Sequence, residues 1–187
     1  MPIPDRTSAA VVFLDLQEQI VANSKTVRPE QVVRVAGVLA RLATLHGLPA
    51  FCSSVGPGGA FAPEVLHALP GIAPRQRSQT SACEDPAFTE WLKTSGRSMF
   101  VLAGVASEIV VQRTALELLQ AGHQVLVAVD ACGGVGARTE DAAWRRIVAG
   151  GGATTSVVTL AAELAGDFSS DLGGQTLGLM YAAMGEG

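Results

Sequence analysis

The stretch that decides the fold is VLAGVASEIVVQRTALELLQAGHQVLVAVD, residues 101–130. Its start predicts the end of a strand, and a turn at residues 104–107 leads into apolar residues at helical spacing. We expect Ser107 to cap this helix and Gly122 to end it, before a second β-rich run at residues 124–129. A strand that feeds a helix through a tight turn leaves backbone N–H groups unpaired at the helix start, where α/β proteins hold anions or nucleophiles.

The rest of the chain also alternates between strands and helices. Further strands are predicted at residues 9–15, 49–55, 72–80 (extended), 98–103 and 154–160. Helices are predicted at residues 29–47 and 63–69, and two more are predicted to begin after the N-caps Asp85 and Thr139. This alternation predicts one domain over residues 1–187, a three-layer α/β/α fold with a doubly wound, mostly parallel sheet. Residues 166–187 are expected to form a tail whose apolar part, 176–184, is a helix docked on the domain or on a partner subunit.

The composition argues against several classes of function. A net charge of −4 offers no basic surface for nucleic acid or an anionic membrane, and apolar runs such as residues 9–14 are too short to span a bilayer. The apolar fraction of 48% suits a packed interior and a buried subunit interface, so we expect a homo-oligomer. Because the N-terminal residues lack a signal-peptide pattern and the three cysteines lack metal-ligand spacing, we expect a cytoplasmic protein with reduced thiols.

A candidate site forms if the strand order is 3-2-1-4-5-6. The first strand, which ends at Asp15, would then lie beside the fourth, which ends at Gly104. Asp15 follows six apolar residues that look buried, which favours a site carboxylate over a carboxylate that only caps the strand end. Gln17, two residues later, is expected to line the same pocket.

The chain resembles the isochorismatase-like cysteine hydrolases, the superfamily that includes nicotinamidases, from about residue 9 to about residue 165. The residues that carry the resemblance are Gly104, Val105, Ser107, Val111, Thr114, Ala115, Gly122, His123, Asp130 and Ala131. Val110 stands at the position of the family's nucleophilic cysteine.

The resemblance implies roles for the charged residues. In the family an Asp takes the thiol proton, a Lys or Arg steadies the pair, and the thiolate attacks an amide-like carbon. By position the Asp is Asp15, and by spacing the basic residue is Arg77, with Arg75 as the alternate. If this stretch is extended, both arginines share a face and could point at Asp15; two solvated surface arginines are the other interpretation.

The resemblance also implies an oxyanion site in the turn. It would be built by backbone N–H groups near Val105, Ala106 and Val110, with a non-proline cis peptide between the first two residues. A tight trans turn is the alternative. Because valine has no lone pair and no transferable proton, cysteine acylation cannot occur at position 110.

Cys83 is the remaining candidate nucleophile. It lies in the loop before the Asp85 helix, which borders the site in the family, so it is also a candidate for the pocket lining. To replace the lost thiol it would need to approach Asp15. A buried or half-exposed structural thiol is the commoner role.

We expect no metal and no other cofactor. The zinc or iron site of nicotinamidases needs an Asp and two His near the second strand, and His46, His67 and His123 do not show that spacing. The glycines at residues 56–59 do not form a phosphate loop, because no Gly-Lys-Ser/Thr follows them.

Two functions remain open. The first is a catalytically impaired or non-catalytic family member that keeps a pocket for a small carbonyl or carboxylate compound, or serves as an assembly subunit. The second is a working hydrolase of small amides or esters, in which Asp15 activates water directly or Cys83 supplies the thiol. Val110 favours the first function, and Asp15 with two nearby arginines keeps the second open.

Overall fold

A computed structural model describes residues 3–185 of the 187-residue chain. The strands are β1 Ala9–Leu14, β2 Ala50–Val55, β3 Arg75–Arg77, β4 Met99–Val105, β5 Gln124–Gly133 and β6 Ala153–Thr155. The α-helices are α1 Glu18–Val21, α2 Pro29–His46, α3 Pro63–Leu66, α4 Pro86–Ser95, α5 Gln112–Gln120, α6 Ala137–Ala149, α7 Val157–Ala165 and α8 Asp171–Met184. Among the described residues, no helix is both long enough and apolar enough to cross a membrane.

All six strands pair in parallel, in the order β3-β2-β1-β4-β5-β6. Every residue of β1 is buried because the strand lies in the middle of the sheet with apolar layers on both faces. Val11 and Phe13 belong to the cluster that α2 and α7 complete, whereas Val12 and Leu14 belong to the cluster of α4, α5 and α6. The predicted three-layer, doubly wound fold is therefore confirmed.

Two predicted segments pair in the sheet over only part of their length. Of residues 72–80, predicted to be extended, only β3 pairs with a neighbouring strand. The segment predicted as a last strand, residues 154–160, leaves the sheet after Thr155, because the Ser156 hydroxyl accepts a hydrogen bond from the Thr159 backbone N–H and caps α7. The apolar residues that suggested a strand form the buried face of this helix.

Two predicted helix caps are also wrong. Ser107 begins a π-helical turn, Ser107–Val111, and its hydroxyl donates to the Glu140 carboxylate at 2.7 Å instead of accepting from the turn. Thr139 lies inside the first turn of α6, which begins at Ala137, and its hydroxyl donates to the Glu108 carboxylate at 2.6 Å. In both cases a carboxylate from another element binds the hydroxyl that would otherwise act as a cap.

The C-terminal helix α8 docks on its own chain, against α2 and α7. It is longer than the predicted segment because Ser170 caps its first turn, accepting from Gly173 N–H at 3.0 Å. His46 Nε2 shares a hydrogen bond with Thr176 Oγ1 at 2.9 Å, and the Arg34 guanidinium donates to carbonyl groups of the last turn. Residues 186–187 of the predicted tail, like residues 1–2, lie outside the described residues.

The contact between β1 and β4 depends on the absence of a side chain at Gly104. A Cβ atom there would lie 2.1 Å from the Leu14 carbonyl oxygen and 2.7 Å from Leu14 Cβ. Since both strands are buried, neither can move aside cheaply. We expect Gly104→Ala to lower the free energy of unfolding by about 3 kcal/mol, measured by urea denaturation.

Gly178→Ala is the matched control for this substitution. A Cβ atom at this exposed position of α8 meets nothing within 4 Å. Because alanine loses less backbone entropy than glycine in a helix, this variant should be more stable by about 0.5–1 kcal/mol. Equal stability of the two variants would contradict the close approach of β1 and β4.

Candidate active site

The candidate site lies at the carboxyl edge of the sheet, where β1 ends. Asp15 follows the last residue of β1 and has a φ of +52°, a left-handed conformation that only a few per cent of non-glycine residues adopt. Its backbone N–H donates to the Ser53 carbonyl at 2.9 Å, and Gln17 N–H donates to the Asp15 carbonyl at 2.7 Å. These bonds turn the chain sharply at the strand end and hold the Asp15 carboxylate at the sheet edge.

Asp15 and Arg77 form a buried bidentate ion pair. Arg77 Nη1 donates to Asp15 Oδ1 at 2.5 Å and Nη2 donates to Oδ2 at 2.7 Å. Nη1 also donates to the Ser53 hydroxyl at 3.0 Å. Burial raises the pKa of the Asp15 carboxyl, while the hydrogen bonds and the charge of Arg77 oppose that rise. A carboxylate in these surroundings is a better proton acceptor than an exposed aspartate.

The structure separates the two candidate arginines. Arg77 is buried against Asp15, whereas Arg75 is exposed. In the sheet Arg75 lies opposite Ser53 and Arg77 opposite Val55, so Arg77 is two residues nearer the carboxyl edge where Asp15 lies. The hypothesis that both arginines face Asp15 is wrong, because β3 is a three-residue edge strand whose start lies in solvent.

The second half of the site is the turn after β4. The peptide bond between Val105 and Ala106 is cis. The Ala106 carbonyl accepts hydrogen bonds from the backbone N–H of Ile109 at 3.1 Å and of Val111 at 3.4 Å, which closes the π-helical turn. Val110 lies in this turn and is only 1% exposed.

The turn is fastened to the start of α6. The Glu108 carboxylate accepts from the Val135 backbone N–H at 3.1 Å as well as from the Thr139 hydroxyl, and Ser107 bonds to Glu140. Sequence reasoning missed this connection. The only signal was a pair of polar residues, 107 and 108, in an otherwise apolar stretch.

A pocket of 460 Å³ lies between Asp15 and the turn. Its apolar lining includes Val105, Ala106 and Val110, so the sequence-predicted turn and Asp15 border one cavity. Two further polar residues, Asn23 and Lys25, line it and were not predicted. They lie in a loop without periodicity, which is held in place because Lys25 N–H donates to the Gly134 carbonyl at 2.8 Å.

Gln17 lies beside a different pocket. Its amide oxygen accepts from Val55 N–H at 2.8 Å and its amide nitrogen donates to the Gly59 carbonyl at 3.3 Å. It lines a separate cavity of 330 Å³ against the glycine-rich loop. The expectation that Gln17 lines the Asp15 pocket is wrong, because these two bonds tie its side chain to the neighbouring loop.

Cys83 does not line the Asp15 pocket either. It lies in the 3₁₀ turn Ala82–Glu84, where its thiol packs against an apolar cluster and donates to the Thr114 carbonyl at 3.8 Å. Burial, with nearby acidic residues, raises the pKa of this thiol to about 11. The expected pocket position of Cys83 is wrong, because its turn packs onto α5 and not toward Asp15.

The other two thiols are no better placed. Cys52 lies in β2, where burial raises its pKa to about 12, and burial also raises the pKa of Cys132 in β5. Since the thiolate is the reactive form, all three native cysteines are weak nucleophiles at neutral pH.

The histidines are dispersed among structural contacts. His46 pairs with Thr176, and His123 meets the Phe100 ring edge-on at 5.0 Å between ring centroids. Within residues 3–185, no group of three or more His, Cys, Asp and Glu residues could hold a metal ion.

Comparison with known proteins places this geometry in a family. Residues 9–159 match the Isochorismatase domain. The chain belongs to the isochorismatase family of hydrolases. It is 27% identical over 174 residues to the probable hydrolase YcaC of Escherichia coli K12, covering 91% of this chain and 84% of YcaC. It is 30% identical over 126 residues to the isochorismatase domain-containing protein 2 of Rattus norvegicus, covering 66% of this chain and 58% of that protein.

Solved structures of family members superimpose closely on this chain. YcaC from Pseudomonas aeruginosa, determined with hexane-2,5-diol and covalent acrylamide, has a TM-score of 0.90 at 26% identity and covers 97% of this chain and 93% of its own. YcaC from E. coli, described as an octameric hydrolase of unknown specificity, has a TM-score of 0.89 at 26% identity, covering 96% and 89%. These likenesses agree with the isochorismatase-like fold.

The buried ion pair makes a specific prediction about stability. Arg77→Met would leave the Asp15 carboxylate buried and unpaired, so the free energy of unfolding should fall by about 3–5 kcal/mol at neutral pH. The loss should shrink at lower pH, where Asp15 can take a proton. Urea denaturation across pH measures both effects.

Arg75→Met is the control on the same strand. Its side chain is exposed and forms no ion pair among the described residues, so its removal should change stability by less than about 0.5 kcal/mol. Similar losses in the two variants would contradict a special role for the Asp15–Arg77 pair.

Proposed function

We propose that this chain binds a small molecule in the Asp15 pocket without forming a covalent bond to a cysteine, as a family member whose thiol chemistry is lost. The observation that carries the proposal is the composition of the pocket wall. Val110 lines the same cavity as Asp15, and none of the three cysteines lines it.

Val110 leaves Asp15 without a thiol to deprotonate. The family resemblance aligns this valine with the nucleophile, and a valine side chain can form no acyl intermediate. The remaining residues still enclose a cavity within the usual range of small-molecule sites, roughly 300–1,000 Å³. These features support binding without covalent catalysis.

The native thiols support the same proposal. Cys83 would have to leave a packed turn and lose a proton from a group whose pKa is about 11. At pH 8 only about one thiol in a thousand would be ionised. Because all three cysteines are free, we include a reducing, cytoplasmic location in the proposal.

A second candidate function is hydrolysis by water that Asp15 activates. One observation favours it: the Asp15 carboxyl lines the pocket, and burial raises its pKa toward the range useful for a general base. Hydrolysis of a small amide or ester that survives thiol alkylation but disappears in Asp15→Asn would establish this function and overturn the non-catalytic one.

The absence of thiol chemistry can be tested with acrylamide, the compound present as a covalent species in the P. aeruginosa YcaC structure. At pH 7.5 the folded wild-type chain should gain no adduct in the pocket. Labelling of Cys83 should be slow and should rise about tenfold per pH unit toward pH 11. Val110→Cys should instead label at residue 110 near neutral pH, because the start of a helix favours the thiolate and Asp15, whose pKa is raised by burial, can take the thiol proton. Peptide mapping by mass spectrometry gives each rate.

Val111→Cys is the matched control for this variant. Val111 lies in the same turn and is fully buried, but it does not line the pocket. Each Val→Cys change should cost only about 1 kcal/mol, so both proteins should fold. If position 110 labels no faster than position 111, and Asp15→Asn does not alter its rate, the pocket has been remodelled and the inherited geometry should be abandoned.

We also propose that the chain forms a homo-oligomer. The E. coli relative is described as octameric, and α8 leaves Tyr181 and Met184 about half exposed after docking on its own chain. Sedimentation velocity at micromolar concentration should show a species larger than the monomer. A single monomeric boundary would contradict self-association.

A further inference from the structure

The Asp15 pocket contains one cation without an acidic partner. Lys25 lines the pocket and takes part in none of the ion pairs among the described residues. The negative charge of Asp15 is already matched by Arg77 through two hydrogen bonds. When Arg77 is counted, which pairs with Asp15 but does not itself line the pocket, the charged groups at this site sum to one positive unit.

The carboxylates that lie closest to the turn are already occupied. Glu108 accepts from the backbone of Val135 and from the Thr139 hydroxyl, and Glu140 accepts from Ser107. Neither glutamate lines the pocket or forms an ion pair with Lys25. The ammonium group is thus free to bind an anion that enters the cavity.

The rest of the cavity favours an apolar occupant. Val110 is buried in its wall, while Ile109 and Val135 are 53% and 50% exposed at its mouth. Large aliphatic side chains are normally covered, and these two lie on one rim because Glu108 ties the turn to the start of α6. An aliphatic or aromatic body seated between them would remove this surface from water.

We propose that the ligand of this pocket is a small apolar monocarboxylate. Its carboxylate pairs with Lys25, and its apolar body lies against Ile109, Val110 and Val135. The side-chain amide of Asn23, which also lines the pocket, supplies a second donor for the carboxylate. The proposal rests on the non-covalent binding function above and specifies its ligand class.

The charges also exclude other ligand classes. An amine would meet the free Lys25, because the carboxylate of Asp15 is already paired. A dianion would find only one unpaired cation in the lining. A neutral amide or alcohol would fill the apolar space but leave the ammonium group without a counter-charge. Only an apolar monoanion satisfies both the charge and the apolar surface.

The test is isothermal titration calorimetry of the full chain with four compounds that share one body: 4-methylpentanoate, 4-methylpentanamide, 4-methylpentan-1-ol and 4-methylpentylamine. The carboxylate should bind at least tenfold more tightly than the other three, and its affinity should fall as salt is added. Lys25→Met should weaken carboxylate binding by about tenfold, whereas Lys25→Arg should retain it.

Two further variants separate a specific role of Lys25 from general effects. Arg28→Met also removes one exposed positive charge nearby in the chain, but Arg28 does not line the pocket, so this variant should bind the carboxylate as the wild type does. Ile109→Asp places a like charge at the exposed mouth, where folding tolerates it, and should abolish carboxylate binding.

The possible outcomes distinguish a failure of this ligand proposal from a failure of the non-covalent binding function on which it rests. Equal binding of the amide or alcohol would overturn the monocarboxylate ligand but leave a non-covalent pocket. Carboxylate binding that is unchanged in Lys25→Met would overturn the role of Lys25, and no carboxylate binding would overturn the ligand class. A covalent acrylamide adduct inside the wild-type pocket would instead overturn the proposed function.

Discussion

The ion pair between Asp15 and Arg77 is the interaction on which the candidate site depends. It connects the carboxyl ends of β1 and β3 across β2, and the Ser53 hydroxyl of β2 binds the same guanidinium. Burying two charges costs several kcal/mol per ion, and an apolar pair of similar volume often gives a more stable protein. The pair is therefore weak evidence for a role in stability. It is better explained by the need for a carboxylate in a fixed position at the pocket.

That carboxylate now faces a pocket without a thiol. In the family that this chain resembles, the aspartate serves a cysteine, and the resemblance aligns Val110, which lines the same cavity as Asp15, with that cysteine. The turn keeps its arrangement because Glu108 and Ser107 bind the start of α6, and these contacts do not involve position 110. A change of residue 110 alone therefore need not alter the cavity around it, which is why Val110→Cys is an informative variant.

The sequence predicted the fold well because burial leaves a strong pattern. The continuous apolar run of β1 predicted a strand covered on both faces, and the strand order then placed Asp15 beside the turn after β4. The resemblance favoured Arg77, but Arg75 stayed as the alternate because residues two apart share a face; the difference between them depends on how far β3 extends toward the carboxyl edge. The sequence did not indicate that Lys25 lines the pocket, because its loop is held there by a backbone hydrogen bond to Gly134 that leaves no pattern in the sequence.

The two charged groups that line the pocket lie at different depths. Asp15 is 4% exposed, whereas Lys25 is exposed, so the negative charge lies at the inner end and the free positive charge at the rim. The proposed monocarboxylate ligand would be drawn to the rim by Lys25. At the inner end its carboxylate would meet the like charge of Asp15, and the Arg77 N–H groups there already donate to Asp15. The apolar end of the ligand must then point inward, toward Val110. In the proposed complex the paired aspartate would thus orient the ligand, although no cysteine lines the pocket.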